Sequence, residues 1–359
     1  MARGVRNLRP LSLEPRARFN VFSGDNGQGK TNLLEAIFVI ATLRSFRTAR
    51  LSDLIAFGDD RATLGARVLK DDLVRRYEVE LVPGTRKVTL DGKAVRPLAR
   101  YFGGFNVVVF TPEDLGLPRA SPGDRRRFLD RGVFNLHPEY LGTAQDYERV
   151  LKTRNTVLRQ AGDAALDRHR AEAMLAVYDH QLAEIGARVI AARQAFLEVV
   201  SGELTAAFAS ITRVGLTVSA RYAVRSEAVT AADLVAKLQG SRFKDFATRA
   251  TQVGPHRDDV VFELGGRDAG TYASQGQLRA IMLAWKTAEL AVLGRAHGDL
   301  PILLLDDVSS ELDPQRNAFL FEHLATLAGQ CFITTTHPGH VLLRQHRADY
   351  RLANGEILE

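Results

Sequence analysis

The alternation of apolar and polar positions along this 359-residue chain changes rhythm twice. Over the first 120 residues the apolar runs are short. Phe19-Asn20-Val21-Phe22 reads as a strand, and Lys30 to Leu43 as a helix, because Leu33, Leu34, Ile37, Ile40 and Ala41 return to one face. Alternating stretches at Thr63–Leu69, Arg76–Val82 and Lys87–Leu90, with turn signals at Pro83-Gly84 and Asp91-Gly92, predict an antiparallel subsheet. Val107-Val108-Val109-Phe110 is a buried strand stopped by Pro112.

From Pro138 to about Thr212 proline disappears and Ala, Leu, Arg and Glu dominate. Leu175, Tyr178, Leu182, Ile185, Val189, Ala192, Phe196 and Val199 recur at alternating spacings of three and four, a helix with a continuous apolar seam. Gly162-Asp163 separates it from an earlier helix over Tyr140–Gln160, giving a helical hairpin. After Gly254 strands and helices alternate again. Ile302-Leu303-Leu304-Leu305 and Phe332-Ile333-Thr334 are unbroken apolar runs, as parallel strands covered on both faces require. The expected fold is α/β, with a mixed sheet and an antiparallel β subdomain split by a helical insertion. The expected parts are 1–120, 121–250 and 251–359.

Composition narrows the class. The longest apolar runs fall far short of the roughly 18 residues a bilayer span needs, and Met1-Ala2-Arg3-Gly4 carries no apolar signal core. The single cysteine, Cys331, sits in an apolar run as a small buried hydrophobe, which fits a reducing, cytoplasmic setting. A net charge of +6 favours acidic partners, nucleic acid foremost.

The chemistry is concentrated in a few motifs. Gly24-Asp25-Asn26-Gly27-Gln28-Gly29-Lys30-Thr31 fits G-x-x-x-x-G-K-[ST] between a strand and an amphipathic helix. Its glycines let backbone N–H groups surround phosphates, Lys30 reaches the β/γ-phosphates, and Thr31 ligates Mg²⁺. A second buried strand ends in Asp306-Asp307, which places Asp306 to hold Mg²⁺ and Asp307 to face the attacking water. Asp307 stands where many ATPases of the ABC type have Glu, and the shorter side chain predicts slow turnover. Ser274-Gln275-Gly276-Gln277 precedes a helix expected over Leu278–Leu293 and resembles the ABC signature. Ser274, the Gly276 amide and Gln277 would make an anion site of the same kind as the phosphate loop. Ser309-Ser310-Glu311-Leu312-Asp313 resembles a D-loop, and His337 follows the next buried strand as a switch histidine does. In this order the elements predict an ATPase head of the ABC/SMC type. Its signature completes a partner's nucleotide site, so that ATP joins two heads.

Beyond the nucleotide motifs, the chain resembles the RecF family over nearly its whole length. Gly27 to Ile37, Ser45-Phe46-Arg47-Thr48, Phe110-Thr111-Pro112-Glu113-Asp114-Leu115, Arg126-Arg127-Phe128-Leu129-Asp130 and Gly254-Pro255-His256-Arg257-Asp258-Asp259 carry the resemblance. It implies ATP-dependent DNA binding near gaps and single-strand/double-strand junctions, an ATP-driven homodimer, cooperation with RecR and RecO, and loading of RecA. The family opens on a longer strand than the segment before Val5-Arg6-Asn7-Leu8, where Arg6 is the candidate adenine contact. No glutamine stands near Phe110–Leu115, the place of a Q-loop. Candidate DNA contacts are Arg44, Arg47 and Arg50, with Arg125, Arg126 and Arg127; the last two could equally brace a domain junction. The 254–259 block packs the helical part or serves function directly. Two other classes share the nucleotide motifs, a structural SMC-like clamp head without turnover and the ATPase subunit of a membrane transporter.

Overall fold

The structure is a computed structural model and describes residues 1–15, 18–70, 72–96, 98–163, 165–212 and 215–358. It comprises two compact units, Met1–Gly116 with Arg279–Glu359, and Leu117–Leu278.

The first unit is built on a six-stranded sheet. Its order is Glu356–Leu358, Arg347–Ala353, Phe19–Ser23, Cys331–Thr335, Ile302–Asp306, Val107–Phe110. Every neighbouring pair is parallel except the first, which is the C-terminal hairpin. Strands covered on both faces need unbroken apolar runs. Val107–Phe110 and Leu303–Leu305 meet that need and are buried throughout. Thr334 stands level with both Phe22 and Asp306, and Thr335 with Ser23, so three strand ends share one rim. Ligands of open α/β sheets bind beyond such carboxyl ends.

The antiparallel subsheet is also present, as five strands in the order Ala2–Arg3, Ala62–Lys70, Leu73–Val82, Thr85–Leu90, Lys93–Ala94. The helix Lys30–Thr42 has apolar residues beyond the expected stripe because it serves two cores. Leu33, Leu34 and Phe38 join Phe22 and Val109 against the parallel sheet. Ala36, Val39 and Ile40 join Leu64, Val79 and Val88 against the antiparallel one. Each of the larger of these side chains, fully buried, contributes about 1.5–3 kcal/mol. Cys331 is buried and its thiol is pushed up to about 12 by desolvation, so it is an inert core group.

The second unit holds the helices Pro122–Leu136, Tyr140–Gly162, Arg168–Thr212, Ala231–Gly240 and Arg242–Thr248, with a three-stranded antiparallel sheet. It runs on past residue 250 to Leu278, because Asp259–Leu264 pairs along its length with Val218–Ala223. Residues 251–278, expected with the C-terminal part of the head, therefore belong to this unit.

The 45-residue helix Arg168–Thr212 buries Leu175, Leu182, Val189 and Phe196 as expected, yet Val199 is exposed and Val200 is buried instead. The other members of that seam, Tyr178, Ile185 and Ala192, are only half-buried. The residue after each of these and after Val199, namely Asp179, Gly186, Arg193 and Val200, is buried along the whole helix. The buried stripe thus keeps a fixed pattern of four then three, and it takes in Asp179 and Arg193 because they are paired with Arg154 and Asp130. By length and composition alone this helix could cross a bilayer, but its apolar stripe is occupied by protein.

The unit carries buried charge. Arg154, fully buried, reaches Asp179 at 2.9 Å, Asp245 at 2.8 Å and Thr251 at 2.8 Å. Arg193 makes a two-pronged pair with Asp130 at 2.8 and 2.9 Å. The 254–259 block belongs to the same network. Gly254 has φ +126°, and a side-chain carbon there would lie 2.4 Å from the Tyr147 hydroxyl. Tyr147 Oη lies 2.7 Å from His256 Nδ1, and His256 Nε2 lies 3.1 Å from the Thr251 carbonyl. A carbonyl can only accept, so Nε2 carries the proton and Nδ1 accepts from the tyrosine. Arg257 donates to the same Thr251 carbonyl, Asp258 accepts from Tyr222 and the Arg225 N–H, and Asp259 pairs with Arg125. All four polar side chains of the block are spent on packing this unit.

His256 gives a pH prediction. Burial pushes its pKa from the ordinary 6.5 down to about 4. Between those values the unfolded chain binds a proton that the folded chain refuses, so this stabilisation is complete above about pH 6.5 and is lost as pH falls toward 4. The difference is on the order of 3 kcal/mol. Thermal melting of the wild type should fall more steeply from pH 7 to 4.5 than that of His256→Gln; parallel curves would refute the assignment.

Candidate functional site

The phosphate-loop motif lies at the rim of the parallel sheet, directly after Phe19–Ser23. Gly24, Gly27 and Gly29 all have positive φ, at 156°, 81° and 102°. At Gly24 a side-chain carbon would lie 2.3 Å from the Leu352 carbonyl oxygen, and at Gly29 it would lie 2.9 Å from Leu8. The backbone therefore leaves no room for a side chain at Gly24, and at Gly29 the positive φ disfavours one. Gly29 caps the helix Lys30–Thr42, whose N-terminus supplies partial positive charge. Lys30 Nζ donates to the carbonyls of Gly24 at 2.6 Å and Asp25 at 2.9 Å. Burial lowers its pKa, while the carboxylates of Asp307, Asp306 and Asp25 act in the opposite direction.

The acidic pair meets this loop. Thr31 Oγ1 donates to Asp306 Oδ1 at 2.9 Å, and Thr334 Oγ1 donates to the same oxygen at 2.7 Å. Asp306 is buried, and desolvation raises its pKa. Asp307 adopts the left-handed conformation at φ 49°. Its N–H is shared between the Thr334 carbonyl and hydroxyl, both at 3.1 Å. Asp307 Oδ1 is buried without a hydrogen-bond partner. Such an atom costs about 1–3 kcal/mol, and its persistence marks a group kept for something other than stability. A hydroxyl and a carboxylate side by side, a second carboxylate with an unused oxygen and a lysine on the loop fit a magnesium-bound polyphosphate.

The flanking motifs fall as follows. Ser310 Oγ donates to the Asp307 carbonyl at 2.7 Å, and Asp313 caps the helix Pro314–Leu327 by accepting from the Arg316 N–H at 3.0 Å. His337 is exposed, its N–H held by Thr335 Oγ1 at 3.2 Å and its ring centroid 5.4 Å from that of His340. In the second unit Ser274 and Gln277 form a reciprocal cap. Ser274 Oγ accepts from the Gln277 N–H at 3.2 Å, and Gln277 Oε1 accepts from the Ser274 N–H at 2.8 Å. Gly276 lies in the first turn of the helix Gln275–His297.

The arginines are mostly engaged. Arg6 makes a two-pronged pair with the fully buried Glu35 at 2.7 and 3.0 Å, and that pair orients the candidate adenine contact. Arg47 donates to Asn32 at 2.8 Å and lies 3.5 Å from Glu35. Arg44 is half-buried and Arg50 exposed. Arg125 is spent on Asp259 and the Pro118 and Ala120 carbonyls, and Arg126 on the Asp258 carbonyl. Arg127 is exposed and paired with Asp124. Sequence reasoning overlooked Thr334, Glu35, Asn7 and Asn32. Thr334 had a signal, a polar residue ending a buried strand; the others had none beyond adjacency to named residues.

The RecF/RecN/SMC N-terminal domain family matches residues 1–348. The DNA replication and repair protein RecF of Myxococcus xanthus is 44% identical over 341 residues, covering 92% of this chain and 88% of that protein. RecF of Geobacter sp. strain M21 is 38% identical over 362 residues, covering 99% of this chain and 97% of its own length. Among solved structures, the recombination mediator protein RecF of the RecFOR pathway bound to ATPrS superposes with a TM-score of 0.88 at 29% identity, covering 99% and 95% of the two chains. Its ATP-bound form gives 0.87 at 28% identity, with the same coverage. An Smc head bound to ScpA shares the fold, at a TM-score of 0.54 and 14% identity.

Thr334→Val tests the rim. It keeps the shape but removes the donor to Asp306 and one acceptor for the Asp307 N–H. Urea unfolding without nucleotide should show a loss of about 1–3 kcal/mol, largely restored in Thr334→Ser. Equal stability of Val and wild type would show that Thr334 does not hold the acids.

Proposed function

The chain belongs to the RecF family of DNA replication and repair proteins within the wider RecF/RecN/SMC N-terminal domain family, and from that premise we propose that it is an ATP-dependent DNA-binding recombination mediator of replication-gap repair. The observation that carries this reading is the convergence of Lys30, Thr31, Asp306 and Asp307 on one rim of one unit. The loop N–H groups and the helix start bind the phosphates of ATP, and Lys30 exchanges its loop carbonyls for the β/γ-phosphates. Thr31 and Asp306 would hold Mg²⁺, which supplies charge neutralisation on the phosphates when bound. Asp307 holds and deprotonates the attacking water through the oxygen that has no partner in the protein, and its reach makes turnover slow. His337 stands at the end of the neighbouring strand as the switch residue.

Ser274, Gly276 and Gln277 act in trans, on the nucleotide of a second copy, so ATP joins two heads and hydrolysis loosens them. The ATP-bound state of similar RecF structures supports the ligand. DNA with gaps or single-strand/double-strand junctions is the substrate surface, RecR and RecO are the partners, RecA is loaded downstream, and the cytoplasm is the site of action. Family membership replaces the transporter reading. The clamp-head reading keeps one observation in its favour, the short acid at 307, and differs by requiring no turnover.

Three variants separate these steps, read by nucleotide titration, size analysis and phosphate release with gapped, duplex and single-stranded DNA. Lys30→Ala should bind no ATP and remain monomeric. Ser274→Arg should bind ATP with unchanged affinity yet fail to dimerise; an ATP-dependent dimer of that variant would end the trans-site reading. Asp307→Asn should lose hydrolysis by tenfold or more (on the order of 1.4 kcal/mol per decade) while still dimerising. Unchanged hydrolysis would remove Asp307 as base, and wild-type DNA binding without any turnover would favour the clamp. DNA affinity should fall steeply with salt.

A further inference from the structure

The phosphate loop is gripped on its outer side by groups that lie in no nucleotide motif. Asn7 Nδ2 donates to the Gly27 carbonyl at 2.7 Å, and the Gly355 N–H donates to the Gln28 carbonyl at 3.1 Å. In a trans peptide the carbonyl and the N–H that follows it point in opposite directions. Holding the Gly27 and Gln28 carbonyls outward therefore turns the N–H groups of Gln28 and Gly29 to the inner side of the loop. Successive N–H groups turned one way form an anion-binding concavity.

The two outer donors come from opposite ends of the chain and meet. A side-chain carbon at Gly355 would lie 2.1 Å from the Asn7 carbonyl oxygen. The Arg9 N–H donates to the Gly355 carbonyl at 3.1 Å, and Arg9 pairs with Glu356 at 3.0 Å. Asn354 and Gly355, both at positive φ, are the two-residue turn of the C-terminal hairpin, the Asn-Gly pairing that such turns favour. The Asn354 N–H donates to Gln28 Oε1 at 2.5 Å, so the turn holds Gln28 by both backbone and side chain. Asn7 is oriented in turn by Asn32, whose Nδ2 donates to Asn7 Oδ1 at 2.6 Å.

We propose that Asn7 and the Asn354-Gly355 turn are positioning elements of the nucleotide site, a two-sided brace that aims the Gln28 and Gly29 N–H groups at phosphate. The proposal deepens the nucleotide reading and rests on it. The brace acts on the phosphates and not on the base, so it serves any polyphosphate. It also makes phosphate binding depend on the last residues of the chain, hundreds of positions from the motif.

The test is calorimetric titration of ATP and of inorganic tripolyphosphate, each with Mg²⁺, into the full-length wild type, Asn7→Ala and Gly355→Ala, alongside melting without ligand. Losing one orienting hydrogen bond should weaken both ligands by about fivefold to tenfold, by the same factor for each. Asn7 is exposed, so the melting midpoint of Asn7→Ala should stay within about 2 °C of wild type; it decides the matter even if Gly355→Ala is unstable. Wild-type affinity in Asn7→Ala would overturn the brace, as would a loss confined to ATP. If the wild type binds neither ligand, the nucleotide reading itself fails and the brace falls with it.

Discussion

The register of three parallel strands is the constraint on which the rest of the first unit depends. Phe19–Ser23, Cys331–Thr335 and Ile302–Asp306 come from both ends of the chain, and their pairing brings Ser23, Thr334 and Asp306 to one edge. A one-residue slip would turn every side chain of a strand to the opposite face, carrying Asp306 away from Thr31 and Thr334 away from Asp306. Unbroken apolar runs would still be buried after such a slip, so the polar strand ends, through the bonds of Thr31 and Thr334 to Asp306, help to set the register. Packing the core and assembling the acidic rim are thus one event. Thr334 links them: its backbone belongs to the ladder, its hydroxyl donates to Asp306, and the Asp307 N–H returns to it.

The rim is held in an arrangement that costs stability. A buried carboxylate with raised proton affinity, an acid in the left-handed region with an unpartnered oxygen and a partly desolvated lysine lie within reach of one another. Each is unfavourable on its own, and a polyphosphate with its cation, the ligand proposed for this rim, would relieve all three. The second unit treats charge the opposite way. Arg154 is buried between Asp179 and Asp245, although its Nη2 and Asp245 Oδ2 meet as an ion pair without a well-formed hydrogen bond. Arg193 is buried and paired with Asp130, and His256 is kept neutral with both nitrogens engaged. Removing one partner from such a network leaves the other charge stranded, which favours a single well-defined packing over a loose helical bundle.

How much of this was legible in the sequence follows from how local the causes are. The phosphate loop, its helix and the two apolar strands rest on short-range patterns, and they stand where the patterns put them. The antiparallel subsheet was legible for the same reason, through alternation and turns. The long helix was legible in existence but not in phase, since the buried positions one residue after the expected ones include Asp179 and Arg193, polar side chains whose burial depends on partners outside the helix. The block at 254–259 was visible as unusual, yet its purpose depends on Tyr147, Tyr222 and Arg125, partners that no spacing rule names. The same holds for Asn7, Thr334 and Gly355. Their neighbours in space are set by topology, and topology is where residue patterns carry least information.

Arginine content misleads in a related way. A net charge of +6 suggests a surface ready for phosphate, but an arginine already bonded to a carboxylate gains only the difference when it changes partner. Arg125 is committed to Asp259 and to two carbonyls, and Arg126 to a third carbonyl, so moving either would leave buried acceptors unsatisfied. Arg127 gives up only an exposed pair with Asp124, which is worth little. Arg50 is exposed, and Arg44 lies close enough to Arg86 to lower its pKa, after the larger effect of burial. Two like charges held together are relieved by an anion, whereas a satisfied ion pair is not. On that physical ground the segment around Arg44 and Arg50 is a better candidate for a phosphate contact than Arg125 and Arg126, although the run at 125–127 is the more conspicuous in the sequence.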